Sequence, residues 1–336
     1  MLIYKYRMFL KKTFWLWVFS LIFTFFIGYK IASIRHTSPH QEEIVRKNFN
    51  YKYINPILEC NSDLSLNNKL TPLKNNIESI INREINNKNI TYASVYYRDL
   101  NSGPWFGINE QEYFSPASLI KVPILIAYYK KAEQDPTILQ KKLTVLTNSE
   151  TGNNIQNIKP SLTTTNNTEY TVEKLIEEMI VYSDNNAYDT LSKNLTGDEI
   201  IKVYQDLDVD ISKAFQNPNG NIITIKNYAS FFRILFNASY LNQDMSEKAL
   251  KLLTQVEYKD ALVAGMPNNI SVAHKFGERK YLDSNEIQFH DCGIVYLPKK
   301  PYLLCVMTKT NKGLNQVTNI IKVISQTVYK DISSQL

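Results

Sequence analysis

The strand-like runs of this chain fall into two groups with a long helical interval between them, and that split constrains the fold more than any other feature. The first group is ITYASVYYRDL (Ile90–Leu100) and PWFGINEQEYF (Pro104–Phe114), on either side of Asn101-Ser102-Gly103, a hairpin-type turn. The second group is NISVAHKF (Asn269–Phe276), EIQFHDCGIVYL (Glu286–Leu297) and PYLLCVMT (Pro301–Thr308). Strands joined by short turns pair antiparallel. The interval from Ser118 to about Gln255 reads as mostly helical. Outside the strands, Leu73, Ile77, Ile80, Ile81 and Ile85 mark a helix over Thr71–Lys88. Leu314, Val317, Ile321, Ile324, Val328 and Ile332 form one stripe of an amphipathic helix at the carboxyl end. The predicted class is α+β: an antiparallel sheet of five strands covered on one face by the terminal helices, with the helical interval as a second lobe. A site is expected in the cleft between the lobes. Hydrophobic content of 44% is enough for a real core.

The net charge of +6 has a local origin. Residues 1–35 carry Lys5, Arg7, Lys11, Lys12, Lys30 and Arg35 and no acid, which leaves 32 of the 38 basic residues against 32 acidic ones. The rest of the chain is neutral, which argues against a nucleic-acid-binding surface. Thr13–Tyr29 is an uncharged run behind four positive charges, and with Ile31–Ile34 it reaches the length of a bilayer span. The positive cluster on its amino side predicts a single-pass anchor in the lipid bilayer over residues 13–34, with the remainder extracytoplasmic. A cleaved signal peptide is the alternative, although no A-x-A-like site follows the run. The predicted organisation is therefore an anchor over residues 1–35, a polar stem over 36–70 and a folded domain over 71–336. Within the stem, YINPILEC (Tyr53–Cys60) is apolar enough to dock on the domain.

Three cysteines, Cys60, Cys292 and Cys305, have no metal-ligand spacing and are odd in number. Cys292 and Cys305 flank PKKP and are candidate neighbours on a hairpin, read here as buried free thiols. No metal and no cofactor are expected.

Three short motifs carry the chemistry. In SPASLIKVP (Ser115–Pro123), Ser118 and Lys121 lie one helical turn apart, which sets the lysine amine over the hydroxyl. Serine needs a base to become a nucleophile, and apolar neighbours lower a lysine pKa enough to make it one. Ser183-Asp184-Asn185 ends the run TVEKLIEEMIVY; its hydroxyl can pass a proton and its amide can hold a substrate amide. Lys275-Phe276-Gly277 ends a strand-like run, where lysine gives a positive charge and glycine lets a backbone approach closely. Each has an ordinary structural reading when taken alone: a capping serine with a helical lysine, a polar turn, and an edge lysine before a turn glycine.

Together, in this order, S-x-x-K, S-D-N and K-x-G resemble the penicillin-recognising serine enzymes, the class A β-lactamases and penicillin-binding proteins. The resemblance spans about Thr71–Leu336 and includes the strand HDCGIVYL. It implies a β-lactamase/transpeptidase-like fold, with Ser118 as the acylated nucleophile, Lys121 as its base or proton relay and Ser183 as proton shuttle to the leaving amine. It also implies that Asn185, Lys275, Phe276 and Gly277 line the substrate site, that the backbone N–H groups of Ser118 and Glu278 form the oxyanion hole, and that Asp184 holds its loop. The implied partners are a peptidoglycan peptide of the D-Ala-D-Ala type or a β-lactam.

Two departures qualify what is carried over. Phe276 stands where the family usually offers a hydroxyl to a substrate carboxylate. The interval between Ser183 and Lys275 is also short, and DLDVDISKAFQNPNGN (residues 206–221) has no glutamate to activate a deacylating water, which leaves Asp208 and Asp210 as substitutes. A true β-lactamase and a non-catalytic binding module on the same fold are the alternatives. A Ser-His-Asp arrangement through His274, His290 and Asp291 lacks a G-x-S-x-G elbow, so His290 is read as a strand residue.

Overall fold

The computed structural model describes residues 17, 24, 51–56, 69–146, 153, 156–209 and 220–336. The expected anchor over 13–34 lies outside them apart from Trp17 and Thr24, as do Cys60, Asp210 and most of the stem. Among the described residues no helix is long and apolar enough to cross a membrane. The account below concerns the unit from Asn48 to Leu336.

In chain order the elements are α1 (Thr71–Asn86), β1 (Tyr92–Asp99), β2 (Trp105–Ile108), β3 (Tyr113–Phe114), a 3₁₀ turn (Ala117–Ile120), α2 (Lys121–Ala132), β4 (Lys142–Val145) and β5 (Thr168–Thr171). They continue with α3 (Val172–Val181), α4 (Asn185–Lys193), α5 (Gly197–Gln205), β6 (Ile223–Thr224), α6 (Ile225–Phe236) and α7 (Gln243–Leu253). The chain then returns through β7 (Val272–Lys280), β8 (Ile287–Val295) and β9 (Tyr302–Thr310) and closes with α8 (Leu314–Ser333).

Five strands form one antiparallel sheet in the order β2-β1-β9-β8-β7, so β7 is an edge. β9 sits between β1 and β8 and joins the two groups of strands, Tyr92 opposite Lys309 and Asp99 opposite Tyr302. The predicted terminal helices lie on one face. α1 buries Leu73, Ile77, Ile80 and Ile81 toward α8, β1 and β2. α8 buries Val317, Ile320, Ile321, Ile324, Val328 and Ile332 toward β8 and β9. Six aliphatic side chains at about 1.5–3 kcal/mol each give that helix on the order of 10 kcal/mol of gross burial, before the entropy of ordering it. On the opposite face α6 rests on β1, β8 and β9. α2 is buried from Lys121 to Tyr129, so it runs through the middle of the helical lobe.

The structure corrects three expectations. PWFGINEQEYF does not continue as one strand. It breaks at Asn109, held at φ 52° with its amide on the Ala93 carbonyl and its own carbonyl accepting from Ser94 Oγ. Asparagine tolerates that left-handed conformation, and Tyr113–Phe114 turns away to pair with Ile223–Thr224. The helical interval also contains a second small pair, β4 with β5. Finally, Cys292 and Cys305 are directly opposite one another on β8 and β9 and are joined as a disulfide, not buried as free thiols. Register alone puts the two side chains on one face within bonding reach.

Ahead of α1, Tyr51–Pro56 is docked on the helical lobe. The backbone N–H groups of Lys52, Tyr53 and Ile54 donate to the Glu247 carboxylate on α7 at 2.8–3.0 Å, and Ile54 enters the core.

Candidate active site

Ser118 sits half-buried in the 3₁₀ turn that leads into α2. The approach to that turn is clamped by β8. Ser115 N–H donates to Gln288 Oε1 at 2.9 Å, and the Ser115 carbonyl accepts from His290 Nε2 at 3.0 Å. Burial pushes the His290 pKa down to about 3, so the ring is neutral with its proton on Nε2. His290 is thus a strand residue, as read from sequence, and also an anchor for the segment before Ser118. Ala117, immediately ahead of Ser118, has φ 47°, a conformation that costs a non-glycine residue about 1–3 kcal/mol and persists only where its surroundings impose it.

Lys121 opens α2 and is 1% exposed. Its Nζ donates to Ser183 O at 2.7 Å, Ser183 Oγ at 3.1 Å and Asn185 Oδ1 at 2.7 Å. Those acceptors use all three donors of an ammonium. None of these three bonds runs to Ser118 Oγ. Desolvation lowers the Lys121 pKa to about 7, against the opposing pull of Asp184 and Asp189.

The Ser183 loop lies between the end of α3 and the start of α4. Ser183 is buried with φ 59°, a second strained non-glycine residue at the site. Asp184, fully buried, caps α4 and holds the loop in front of it. Oδ1 accepts from Asn186 N–H and Asn153 Nδ2, and Oδ2 from Thr164 N–H and Oγ1, all at 2.7–2.8 Å. Asn153 Oδ1 in turn accepts from Asn185 N–H at 2.8 Å. Asn153 and Thr164 escaped the sequence reading: in a chain this rich in asparagine, one more asparagine in a loop gives no signal.

β7 supplies the third side. Lys275, fully buried, donates through Nζ to Ser183 Oγ at 3.0 Å and to Phe276 O at 3.2 Å. Burial, and then the neighbouring Lys121 charge, holds its pKa well below the usual lysine value. Gly277 packs against the turn so closely that a Cβ there would lie 3.1 Å from the backbone nitrogens of Ser118 and Leu119. Glu278, which follows, binds a strap across the cleft: its carboxylate accepts from Ile158 N–H at 2.7 Å and Asn157 Nδ2 at 3.3 Å. The Phe276 ring packs on Tyr258 at 4.5 Å between centroids, with the Lys275 Nζ 4.1 Å above it.

The Ser118 turn, the Ser183 loop and β7 therefore bring Ser118, Lys121, Ser183, Asn185, Lys275 and Gly277 together, with Phe276 and Glu278 flanking them on β7. His274 and Asp291 are not part of this group. His274 Nδ1 meets Asp291 Oδ1 at 2.9 Å, and Asp291 Oδ2 accepts from Leu262 N–H at 3.0 Å, so the pair closes on itself within the fold. Asp208 is exposed beyond the end of α5.

The family model described as the beta-lactamase enzyme family matches residues 72–332. This chain belongs to the beta-lactamase enzyme family. Like its family, it is a serine hydrolase that works through an acyl-enzyme. Its fold is shared with PBP-A at TM-score 0.64 and 23% identity, over 79% of this chain and 97% of that one. It is shared equally with a PBP-A variant captured as an acyl-enzyme with penicillin G, at TM-score 0.64 and 22% identity over 79% and 97%. A beta-lactamase from Chitinophaga pinensis has the same fold at TM-score 0.65 and 18% identity, over 76% and 99%. No curated protein matches the sequence. The β-lactamase/transpeptidase-like fold expected from the motifs is thus the fold of this family member.

Proposed function

We propose that this member of the family is acylated at Ser118 by β-lactams or by cell-wall peptides of the D-Ala-D-Ala type, and that it works outside the cytoplasm on a membrane anchor formed by residues 13–34. The observation that carries the chemistry is the pair of buried amines, Lys121 and Lys275, converging on Ser183 Oγ beside the Ser118 turn. Neutral Lys121 takes the Ser118 proton as Oγ bonds to the substrate carbonyl carbon. The carbonyl oxygen gains charge against the backbone N–H groups of Ser118 and Glu278. The carbon–nitrogen bond then breaks, and Ser183 delivers a proton to the departing nitrogen, drawing its own from the Lys121 side. Asn185 and Lys275 orient the substrate. The net change is one bond exchanged and one proton moved from serine to amine.

Deacylation of a β-lactam adduct needs a water activated by a base, and residues 206–221 hold no glutamate for it while Asp208 is exposed beyond the end of α5. Acylation therefore outpaces hydrolysis in this reading. Intact-mass measurement after mixing with penicillin G should show one added penicillin that persists for many minutes and is absent from Ser118→Ala. Rapid steady hydrolysis with no adduct would overturn the slow-turnover reading and favour a true β-lactamase. No reaction with penicillin or with a D-Ala-D-Ala peptide would favour the binding-module alternative. For the anchor, fractionation recovering a soluble mature protein that lacks residues 1–35 would overturn it.

A further inference from the structure

Away from the catalytic groups, the His274–Asp291 pair leaves one polar atom over. His274 is 1% exposed, and its Nδ1 meets Asp291 Oδ1 at 2.9 Å. A carboxylate only accepts, so it fixes a ring proton on Nδ1, and the lone pair of the neutral imidazole lies on Nε2. The other carboxylate oxygen is taken by Leu262 N–H at 3.0 Å. Among the described residues nothing donates to His274 Nε2. A buried acceptor left without a donor costs the fold free energy and calls for an explanation.

His274 lines a cavity of about 340 Å³, large enough for a single-ring molecule. Val272 and His274 are two apart on β7, so their side chains leave the same face of this edge strand, opposite to the face of Lys275. Val263, Met266, Ile270 and Val272 give the cavity its apolar lining, and Thr254, Asn268 and Ser271 add neutral polar groups. Lys259, an exposed residue, brings a cation, and no acid lines the cavity. Lys259 also borders the space beside Phe276, but its acidic neighbours Glu257 and Asp260 line only that space.

We propose that this cavity is a second binding site, separate from the Ser118 cleft, for a small hydroxy acid with an apolar body. The hydroxyl donates to His274 Nε2 and supplies the donor that the fold omits. The body lies against Val263, Met266 and Val272, where it loses little hydration. The carboxylate stays at the rim with Lys259. The proposal goes beyond the acylation chemistry and does not depend on it.

The test uses three probes on the full-length protein at pH 8: 4-hydroxybenzoate, 4-methoxybenzoate, which lacks the donor, and phenol, which lacks the carboxylate. Binding is read by calorimetry and by the His274 Nε2 resonance after selective ¹⁵N-histidine labelling. 4-Hydroxybenzoate should move that resonance and bind about 5- to 10-fold more tightly than 4-methoxybenzoate, the scale of one hydrogen bond. Lys259→Gln should weaken 4-hydroxybenzoate by roughly 2- to 5-fold and leave phenol unchanged. His274→Phe should erase the difference between the first two probes. If that variant does not fold by circular dichroism, Val263→Trp, which fills the cavity from a half-buried position, should abolish binding of all three. No binding of 4-hydroxybenzoate at millimolar concentration, or binding that Val263→Trp leaves intact, would overturn the site. Equal binding of the three probes with a stationary Nε2 resonance would overturn the assignment of a hydroxy acid.

Discussion

Lys121 and Lys275 approach the same oxygen, Ser183 Oγ, from 3.1 and 3.0 Å, and both amines are buried. Burial lowers the pKa of both amines, and the Lys121 charge lowers that of Lys275 further. A lysine that is unremarkable in sequence becomes a base in this setting.

Acylation should accordingly rise with pH through about 7, where Lys121 loses its proton, and then level off. Stopped-flow acylation by penicillin G between pH 5.5 and 9 measures this. Lys121→Arg stays protonated throughout and should lose at least about 100-fold in rate, the usual effect of removing a general base. A flat pH profile with an active Lys121→Arg would remove the lysine from the role of base.

The same lowered pKa leaves a mark on stability. Below about pH 7 Lys121 is protonated in both the folded and the unfolded chain, and the full cost of burying its charge is present. Between 7 and the ordinary lysine value near 10.5 the unfolded chain binds the extra proton, so folding gains stability as pH rises. Denaturant titrations of wild type and Lys121→Met at pH 7 and pH 9 should show the wild type gaining on the order of 1–2 kcal/mol relative to the variant. Equal pH dependence in the two proteins would count against a buried, titrating amine.

Gly277→Ala tests the contact between β7 and the serine turn. Its new methyl would meet backbone nitrogens at 3.1 Å rather than the end of a flexible side chain. Displacing the Ser118 N–H from where the carbonyl oxygen gains charge should slow acylation by about 10²-fold, the scale of losing one oxyanion donor, with the fold retained. Circular dichroism checks the fold and intact mass checks the rate; wild-type acylation would show that the turn can yield.

Asp184→Ala should act on stability first. It leaves Thr164, Asn153 and Asn186 donors without their buried carboxylate and uncaps α4. A loss of about 3 kcal/mol or more is expected in denaturant unfolding, since hydrogen bonds to a charged group contribute about 1.5–3 kcal/mol each. A change within 0.5 kcal/mol, the range of an ordinary surface substitution, would mean the loop finds other partners.

The terminal helices were legible because each carries an apolar stripe at helical spacing, and four of the five residues marked in α1 are buried. Ser118, Lys121, Ser183 and Lys275 were legible because their three short motifs occur together and in one order along the chain, although each alone has an ordinary structural reading. The supports of those residues were not. Gln288 and His290 clamp Ser115 from 173 and 175 positions away, and nothing in either segment names the other. The disulfide was hidden for a related reason: whether two cysteines on neighbouring strands are bonded or free depends on register, and β8 and β9 are buried on both faces, so they show no alternation from which to read it. The break at Asn109 was missed because a left-handed asparagine inside an apolar run looks like an ordinary strand position.

β1 pairs with β2 along one edge, but its other edge meets β9, which lies some two hundred residues later in the chain. The central sheet therefore stays open through the synthesis of the whole helical lobe. Pairings of such long sequence separation form late, because the entropy of closing the loop is spent before the contacts return it. Lys275 and Gly277 reach Ser183 and the serine turn on the strand that β9 locks in place through β8. Catalytic competence should thus appear only with the last structural event of folding, and a chain halted before β9 would have Ser118, Lys121 and Ser183 without a site.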